Sequence, residues 1–334
     1  MDFDAYDDVD RALVYALQLD GRAPFSRIAE VLGVSDQTVA RRYTRMRTTG
    51  AIRVLGLTDP TALGEIVWMV RVECLPEGAE SVAEALARRA DTSWVSLMSH
   101  GTEVVAVVRA ASGQDSETLL LRKLPHTPRV VGVSAHCLLH EYFGGAQSLV
   151  TKSGALTAEQ AERLRPPAAD RSKGPRGPVG AEDHRMLAVL ASDGRAPLAE
   201  LAAATGWSHS TVRRRLTDLR ADGTLYFDVD YSHRLFRQDI TTLLWLSVPP
   251  SDLAATGQAL ADHPEVAFAC ATTGPNNLLA TVVCADVPAL YTYLTTRIAA
   301  LPGVRHMETS PMIRRIKGPG PLLAPSRGVL RRKS

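Results

Sequence analysis

Cysteine is scarce in this sequence, and the cysteines present form no metal-binding pattern. The 334 residues include four cysteines, at positions 74, 137, 270 and 284, with no CxxC spacing among them. This scarcity argues against a disulfide scaffold and against a zinc ribbon. It suits a reducing compartment, and we therefore expect a cytoplasmic protein.

Long apolar segments are also missing. No run of residues approaches the about 18 consecutive apolar residues that indicate a transmembrane helix. The first ten residues, MDFDAYDDVD, are acidic, whereas a secretory signal peptide has a basic start and an apolar centre. The sequence therefore predicts neither a membrane span nor a signal peptide.

The chain has no bulk excess of charge, since its formal net charge is +2, but its basic residues are clustered. Residues 38–53 contain five arginines and no acid, residues 210–220 contain four arginines and one acid, and residues 314–334 contain seven basic residues and no acid. Clustered arginine on a nearly neutral chain is typical of a phosphate-binding surface. Solvated helix faces show the same pattern, so charge alone does not decide the function.

The sequence contains an internal repeat. The segment Asp20–Pro24 (DGRAP) recurs as Asp193–Pro197, at an offset of 173 residues. The same offset matches residues without gaps as far as Gly101 and Gly274, and it is 174 from there on, which places one inserted residue after this point. The pattern predicts a tandem duplication of one unit of about half the chain.

Each unit begins with a helix-turn-helix pattern. In the first unit, apolar periodicity predicts helices at residues 9–19 and 25–32, and a third helix at residues 36–48 begins after the N-cap Ser35. A glycine in the short turn between the second and third helices completes the pattern. Residues 52–57 then read as a wing strand. The second unit repeats this order, with its third helix at residues 209–221.

The third helix of each unit has the composition of a recognition helix. Its first turns carry short or hydrogen-bonding side chains that suit a major groove, and arginines that suit guanine edges or phosphates follow. Asp36 at the start of the first of these helices would repel phosphate, so the two units need not read the same sequence. The candidate DNA-binding residues are Ser35, Gln37, Thr38, Arg41, Arg42, Arg45, Ser208, His209, Ser210, Thr211, Arg213, Arg214 and Arg215; Arg47 and Arg220 are further candidates for phosphate contacts.

The second part of each unit predicts the order β-α-β-β-α-β of a ferredoxin-like domain. In the first unit, the strands are expected at residues 66–74, 94–98, 104–109 and 130–139, with helices at 78–89 and 116–124. An antiparallel sheet with helices on one face leaves its other face open, so we expect the two sheets to pair. The fold class is therefore α+β, with two tandem units, each a winged helix-turn-helix domain followed by a βαββαβ domain.

The ordered set of motifs resembles the Lrp/AsnC (feast/famine, leucine-responsive) transcriptional regulators. It comprises Asp-Gly-Arg after the first helix, Gly-x-Ser before the recognition helix, Arg-Arg within it, a closing glycine, and a glycine in the turn between the second and third strands of the βαββαβ domain. The resemblance covers both units, so the chain is similar to a dimer fused into one polypeptide. It implies domains at residues 5–58 (helix-turn-helix), 64–144 (effector-sensing RAM domain), 181–231 and 239–318 (the second such pair). Residues 145–180 form the linker between the units: a short helix capped by Thr157 is expected first, and the core at 165–180, rich in proline, glycine and charge, predicts a flexible or semi-extended segment. The composition of residues 319–334 predicts a basic disordered tail.

The resemblance also implies partners. These are double-stranded DNA, further copies of the fused chain, and a small amino-acid-like effector near the glycine-containing turn. The turn lacks the family's usual aspartate in both units, which puts an ordinary amino acid in doubt. The candidate effector-binding residues are Gly101, Thr102, Glu103, Thr272, Thr273, Gly274, Asn276 and Asn277.

Enzymatic readings receive less support from the sequence. Sirohaem decarboxylases resemble the same architecture and would need imidazole and cationic groups, for which His100, His233 and Arg234 are the candidates. A basic recognition helix in each unit argues for a regulator instead, unless its arginines are neutralised, in which case a sensor that does not bind DNA is the third possibility. His136 and His140 are too far apart along a strand to share one metal. We expect no enzyme, no cofactor and no metal.

Overall fold

The computed structural model describes residues 6–110, 124, 126–170 and 178–322. Its helices are α1 (Asp8–Leu19), α2 (Phe25–Leu32), α3 (Asp36–Thr48), α4 (Ala79–Ala87), α5 (Ala158–Leu164), α6 (Ala181–Ser192), α7 (Leu198–Thr205), α8 (His209–Ala221), α9 (Leu253–Ala261) and α10 (Val287–Tyr293). Its strands are β1 (Ile52–Thr58), β2 (Ile66–Cys74), β3 (Thr92–Met98), β4 (Glu103–Ala110), β5 (Val130–Phe143), β6 (Leu225–Tyr231), β7 (Ile240–Ser247), β8 (Val266–Thr272), β9 (Leu278–Cys284) and β10 (His306–Arg315). The predicted α+β class is confirmed.

The two helix-turn-helix domains, α1–α3 and α6–α8, share one hydrophobic core. Each second helix ends at a glycine with positive φ, Gly33 at 67° and Gly206 at 76°, a conformation that glycine adopts without strain. Leu13, Leu17 and Leu190 are fully buried in the common core. Packing of the apolar helix faces thus joins the two domains into a single body.

β1 is not a wing of its own domain. It pairs with β6 of the other unit as a two-stranded antiparallel ribbon, with Ile52 opposite Tyr231 and Thr58 opposite Leu225. The buried side chains of this ribbon, including Phe227 and Val229, complete the core beneath the helices. The strand was predicted correctly, but its role was not, because a partner strand at a separation of more than 160 residues leaves no local sequence signal.

The RAM domains pair through their sheets, as expected. Their strands form a closed barrel in the order β10-β3-β4-β2-β5-β8-β9-β7. β5 pairs with β2 and then with β8, while β10 pairs with β7 and then with β3, so these two strands join the sheets. Met69, Leu243, Trp245 and Leu279 fill the space between the sheets.

The inserted residue of the second unit lies earlier than the sequence comparison placed it. Elements of the helix-turn-helix domains are 173 residues apart, as α3 and α8 are, but α4 and α9 are 174 apart. The insertion therefore falls between β1 and β2, before the RAM domain. It follows that Gly274 is the structural equivalent of His100 and not of Gly101.

The part of the connection that precedes its Pro/Gly-rich core is folded onto the helix-turn-helix body. Leu149 and Val150 are buried, and Leu164 on α5 is fully buried in the core of the helix-turn-helix body. The predicted helix with Thr157 as its N-cap is confirmed, and Gln160 completes a capping box. Arg163 on α5 forms a 2.6 Å ion pair with Glu30 on α2. Residues 171–177, the tail beyond 322 and the predicted helix at 116–124, apart from Leu124, lie outside the described residues.

Candidate DNA-binding surface and effector domains

Each recognition helix begins with a serine cap. The Oγ of Ser35 accepts a hydrogen bond from the backbone N–H of Thr38 at 3.1 Å, and Ser208 does the same for Thr211 at 3.2 Å. Both serines remain exposed. The caps leave the first turn of each helix facing solvent, and the exposed first-turn candidates are Gln37, His209 and Ser210.

Three arginines on the recognition helices project into solvent without an ion pair within the described parts of the chain. Arg41 on α3 and Arg214 on α8 are equivalent at the offset of 173, and both are exposed. Arg213 is also exposed, whereas its equivalent in the first unit is Ala40. The second recognition helix therefore has one more exposed arginine without an ion pair, within the described residues, than the first.

Arg42 and Arg215, also equivalent, form ion pairs within their own domains. Arg42 forms ion pairs with Asp7 at 2.7 Å and with the fully buried Asp10 at 3.0 Å. Arg215 donates two hydrogen bonds, of 2.7 and 3.0 Å, to Asp183. These pairs join each recognition helix to the first helix of its own domain, a structural role that the sequence did not reveal; the phosphate contacts of Arg42 and Arg215 stay a prediction.

Arg45 also forms an ion pair with Asp10, at 2.6 Å, but its side chain stays 45% exposed. Arg47 and Arg220 form ion pairs across the units, with Asp193 at 2.7 Å and Asp20 at 3.0 Å. Both guanidinium groups therefore bind aspartates of the opposite repeat, and their phosphate contacts stay a prediction.

The repeated DGRAP segments form a reciprocal contact between the units. Arg22 donates hydrogen bonds to the carbonyl oxygens of Gly194 at 2.7 Å and Ala196 at 3.0 Å. Arg195 donates to the carbonyl oxygens of Gly21 at 2.7 Å and Ala23 at 3.1 Å. The sequence analysis used these segments as evidence of the repeat and of the family resemblance, and it predicted no contact between them. The arginine kept in both repeats was the available signal.

Glycine is required in this contact by close approach. A Cβ on Gly194 would lie 2.8 Å from the backbone carbon of Leu55, and one on Gly21 would lie 2.7 Å from the Cβ of Phe227. The backbone N–H of Gly194 also donates to the carbonyl oxygen of Val54 at 2.8 Å. The two recognition helices are thus held in one body by backbone contacts, ion pairs and the β1–β6 ribbon.

The turn between β3 and β4 in the first RAM domain is organised by a buried acid. Glu103 forms a 2.5 Å ion pair with Arg71 and accepts a 3.2 Å hydrogen bond from Ser99. Thr102 donates to the carbonyl oxygen of Ser99 at 3.0 Å, and Gly101 has φ of 80° with open space beside it. The carboxylate of Glu103 is therefore engaged by the protein itself.

The polar groups of the equivalent turn in the second RAM domain are hydrogen-bonded within that domain and to β5 of the first RAM domain. The side-chain amide of Asn277 exchanges two 2.9 Å hydrogen bonds with the backbone of Val248. Thr272 donates to the carbonyl oxygen of Asn276 at 3.2 Å, and the backbone N–H of Cys137 donates to the Oγ1 of Thr273 at 2.9 Å. The side chains of Thr272 and Asn277 are therefore hydrogen-bonded within the protein, whereas Thr273 and Gly274 remain exposed at the edge of the turn. Their part in effector binding stays a prediction.

Histidine residues form no metal site within the described ranges. No group of three His, Cys, Asp or Glu residues there is close enough to hold a metal ion. His136 packs against Trp245 with ring centroids 5.1 Å apart, and burial lowers the pKa of His233 to about 4. Arg234 forms an ion pair with Asp239 at 3.1 Å.

Among the described residues, no helix is both long and apolar enough to cross a membrane.

Comparison with known proteins identifies the two kinds of domain. Residues 7–47 and 182–220 match the AsnC-type helix-turn-helix domain, and residues 241–322 match the Lrp/AsnC ligand binding domain. An uncharacterised HTH-type transcriptional regulator of Pyrococcus furiosus is 34% identical over 120 residues, which are 35% of this chain and 81% of that protein. The transcriptional regulator LrpA of Pyrococcus abyssi is 29% identical over 133 residues, 39% of this chain and 92% of LrpA.

A solved structure reproduces the tandem architecture. The siroheme decarboxylase NirDL aligns over 93% of both chains with a TM-score of 0.62 and 14% sequence identity, a likeness that concerns the fold alone. The evidence for the protein's family comes instead from the sequence relatives and the matched domains. Two AsnC-type helix-turn-helix domains, the matched ligand-binding domain and relatives that are named as regulators show that this chain belongs to the Lrp/AsnC family of DNA-binding transcriptional regulators.

Proposed function

We propose that the chain binds one DNA duplex with both helix-turn-helix domains, as a pseudo-dimer within a single polypeptide. The observation that carries the proposal is the placement of Arg41 and Arg214. They are equivalent and exposed, they form no ion pair with the described residues, and they lie on helices of two domains that share one hydrophobic core. Arginine at this part of a recognition helix reaches guanine edges or phosphates in the major groove.

The two half-sites of the target are proposed to differ. The first helix presents Asp36 and Gln37 in its first turn, where the second presents His209 and Ser210. Arg213 adds a cation to the second helix, so the second unit binds its half-site more tightly. Joined recognition helices of this kind contact half-sites that are about one helical turn, roughly 34 Å, apart.

Selection of DNA from a random pool by the full chain tests this proposal. The enriched duplex is expected to contain two unlike half-sites about 34 Å apart. Fluorescence anisotropy of that duplex should then show weaker binding for Arg214→Ala and a salt slope lower by about one unit. If the folded chain enriches no sequence at moderate salt, the proposal is wrong.

We further propose that the RAM domains bind a small, amino-acid-like effector beside the β3–β4 and β8–β9 turns, where fused chains also associate. Support comes from the exposed edge at Thr273 and Gly274, and from the matched ligand-binding domain. An effector acts only through different affinities for two states, so it must change both oligomer size and DNA affinity. Gly274→Asp is expected to abolish the effector response and retain DNA binding. An unchanged response and sedimentation profile would place the effector elsewhere.

A sirohaem decarboxylase is the second candidate, and the fold likeness to NirDL is the observation that favours it. Two of the groups available for that chemistry are already engaged: the lowered pKa of His233, about 4, keeps this half-buried imidazole neutral at pH 7, and Arg234 is paired with Asp239. The side chain of His100 lies outside the described residues. Addition of sirohaem to the purified chain separates the candidates, because a decarboxylase retains the coloured tetrapyrrole through gel filtration and a DNA-binding regulator does not.

A further inference from the structure

Equivalent positions of the two RAM domains meet at the centre of the barrel, and they carry different residues. Arg71 on β2 lies opposite Ser134 on β5, and Trp245 on β7 lies opposite Glu308 on β10. Arg71 and Trp245 are therefore equivalent, as are Ser134 and Glu308. The guanidinium of Arg71 lies 4.7 Å from the centroid of the Trp245 ring. Contact between equivalent positions places them at the pseudo-twofold axis that relates the two sheets.

Arg71 is further committed to the second unit by an ion pair. Its guanidinium donates two hydrogen bonds to the carboxylate of Glu308, at 2.5 and 3.1 Å, and a third to Glu103 at 2.5 Å. The hydrogen bonds from Arg71 hold the pKa of Glu308 below its usual range. Forked contacts of this kind are strong and geometrically specific. Ser134 offers no carboxylate at the position equivalent to Glu308.

Pairing of two identical sheets would remove the contacts of Arg71 with Trp245 and Glu308. Two first sheets paired by the same geometry would bring Arg71 against Arg71 of the other copy, with serine where each guanidinium now finds the carboxylate of Glu308. Two second sheets would bring Trp245 against Trp245 and leave each Glu308 without its cation. Unpaired or repelling charges in a partly desolvated interface are costly, and they select against the wrong partner.

We propose that Arg71, Trp245 and Glu308 determine which surfaces pair, so that the sheet of the first unit accepts only the sheet of a second unit. The partner surface of each sheet is thus an unlike sheet of this same chain, and two identical sheets do not join. The two halves of the chain have become complementary instead of identical, in a way that does not depend on whether or how the chain binds DNA.

The helix-turn-helix body contains an independent sign of the same complementarity. Arg195 of the second unit lies 4.5 Å from the ring centroid of Phe25 and 5.5 Å from that of Tyr43, both in the first unit. At the offset of 173, the equivalents of these aromatic residues are Leu198 and Leu216. A pair of second units would therefore lose this cation–π contact in addition to the ion pair of Glu308.

Removal of the covalent connection tests the proposal on the whole chain. A protease site placed between Arg171 and Gly177 allows the folded protein to be cut into its two halves, which are then unfolded together in urea and refolded. Native mass spectrometry counts the halves in each refolded species. We expect unlike pairs to exceed like pairs by about tenfold or more. A random mixture, with both kinds of like pair present, would overturn the proposal.

Two variants of the same cut protein sharpen the test. Arg71→Trp with Ser134→Glu gives the first sheet the axis residues of the second, and we expect the excess of unlike pairs to fall severalfold. Arg109→Ala removes an arginine of the same sheet that binds Glu65 and Thr58 instead, and the excess should persist. An unchanged excess in the double variant, or a loss in Arg109→Ala, would show that these axis residues do not choose the partner.

Discussion

Arg215 donates two hydrogen bonds, of 2.7 and 3.0 Å, to Asp183, whereas the adjacent Arg214 is exposed and forms no ion pair with any residue that the structure describes. The Asp183 side chain is 6% exposed and that of Arg215 is 15% exposed. Two neighbouring arginines on one recognition helix therefore differ in their contacts. Arg215 joins the helix to its domain, and Arg214 is the one that we propose to contact DNA.

This difference predicts opposite effects of two alanine substitutions. Arg215→Ala leaves a buried carboxylate without its partner and should lower the free energy of unfolding by about 2–4 kcal/mol. Arg214→Ala should leave stability unchanged and weaken DNA binding. Urea unfolding and fluorescence anisotropy measure the two quantities on the same preparations. If Arg214→Ala destabilises the fold as much as Arg215→Ala does, the assignment of roles is wrong.

The folded part of the connection between the units should contribute to stability. Leu164→Ala removes a fully buried side chain and should cost about 2–4 kcal/mol of unfolding free energy. Thr157→Ala breaks the capping box of α5 and should cost about 1 kcal/mol. Glu159→Ala, at an exposed position of the same helix, is the matched control and should cost little. If all three variants had the same free energy of unfolding as the unmodified protein, this segment would not pack on the first domain.

The ribbon between the helix-turn-helix body and the barrel contains an acid that is sensitive to pH. Burial raises the pKa of Asp228 on β6 to about 6. The folded state therefore binds this proton more tightly than the unfolded state does, so ionisation of Asp228 destabilises the fold above about pH 6, and the penalty disappears as the pH falls to about 4.

Asp228→Asn should consequently stabilise the protein at pH 8 by about 1–2 kcal/mol, after allowance for partial screening by solvent. The gain should shrink as the pH is lowered from 6 to 4. Urea unfolding of both proteins at pH 8 and pH 4 provides the measurement. A gain that is equal at both values would exclude Asp228 as its source.

Two turn glycines should differ in their tolerance of alanine. Both have positive φ, 80° at Gly101 and 107° at Gly274, but only Gly274 also approaches another side chain, since its Cβ would lie 2.6 Å from the Nδ1 of His136. Gly101→Ala should cost about 1 kcal/mol from backbone strain, and Gly274→Ala should cost more because His136 must move. Thermal unfolding of the two variants compares the costs; a smaller loss for Gly274→Ala would contradict this account.

Local patterns in the sequence predicted most of the elements. Apolar periodicity and the caps Ser35, Ser208 and Thr157 identified helices whose boundaries agree with the structure. β2 was predicted residue for residue. These features depend on short-range interactions, which a sequence records directly.

Contacts between distant residues could not be predicted in this way. The commitment of Arg42 to Asp10 and the bonds from Arg22 to the opposite repeat depend on which surfaces meet in three dimensions. The earlier position of the insertion also emerged only from the positions of the helices in the two units, because chance matches at Gly101 and Gly274 concealed it. For the candidate DNA surface, the sequence therefore predicted the helices and their arginines. It did not predict which of those arginines form ion pairs within the protein and which remain exposed.

Hydroxyl-radical footprinting on a selected operator tests the central claim, that both units read one duplex, most directly. The full chain should protect two segments about one helical turn apart, with unlike sequences. Arg41→Ala should weaken protection of one segment and Arg214→Ala that of the other, while both variants remain folded by circular dichroism. Protection of a single segment, or loss of the same segment in both variants, would contradict the pseudo-dimer.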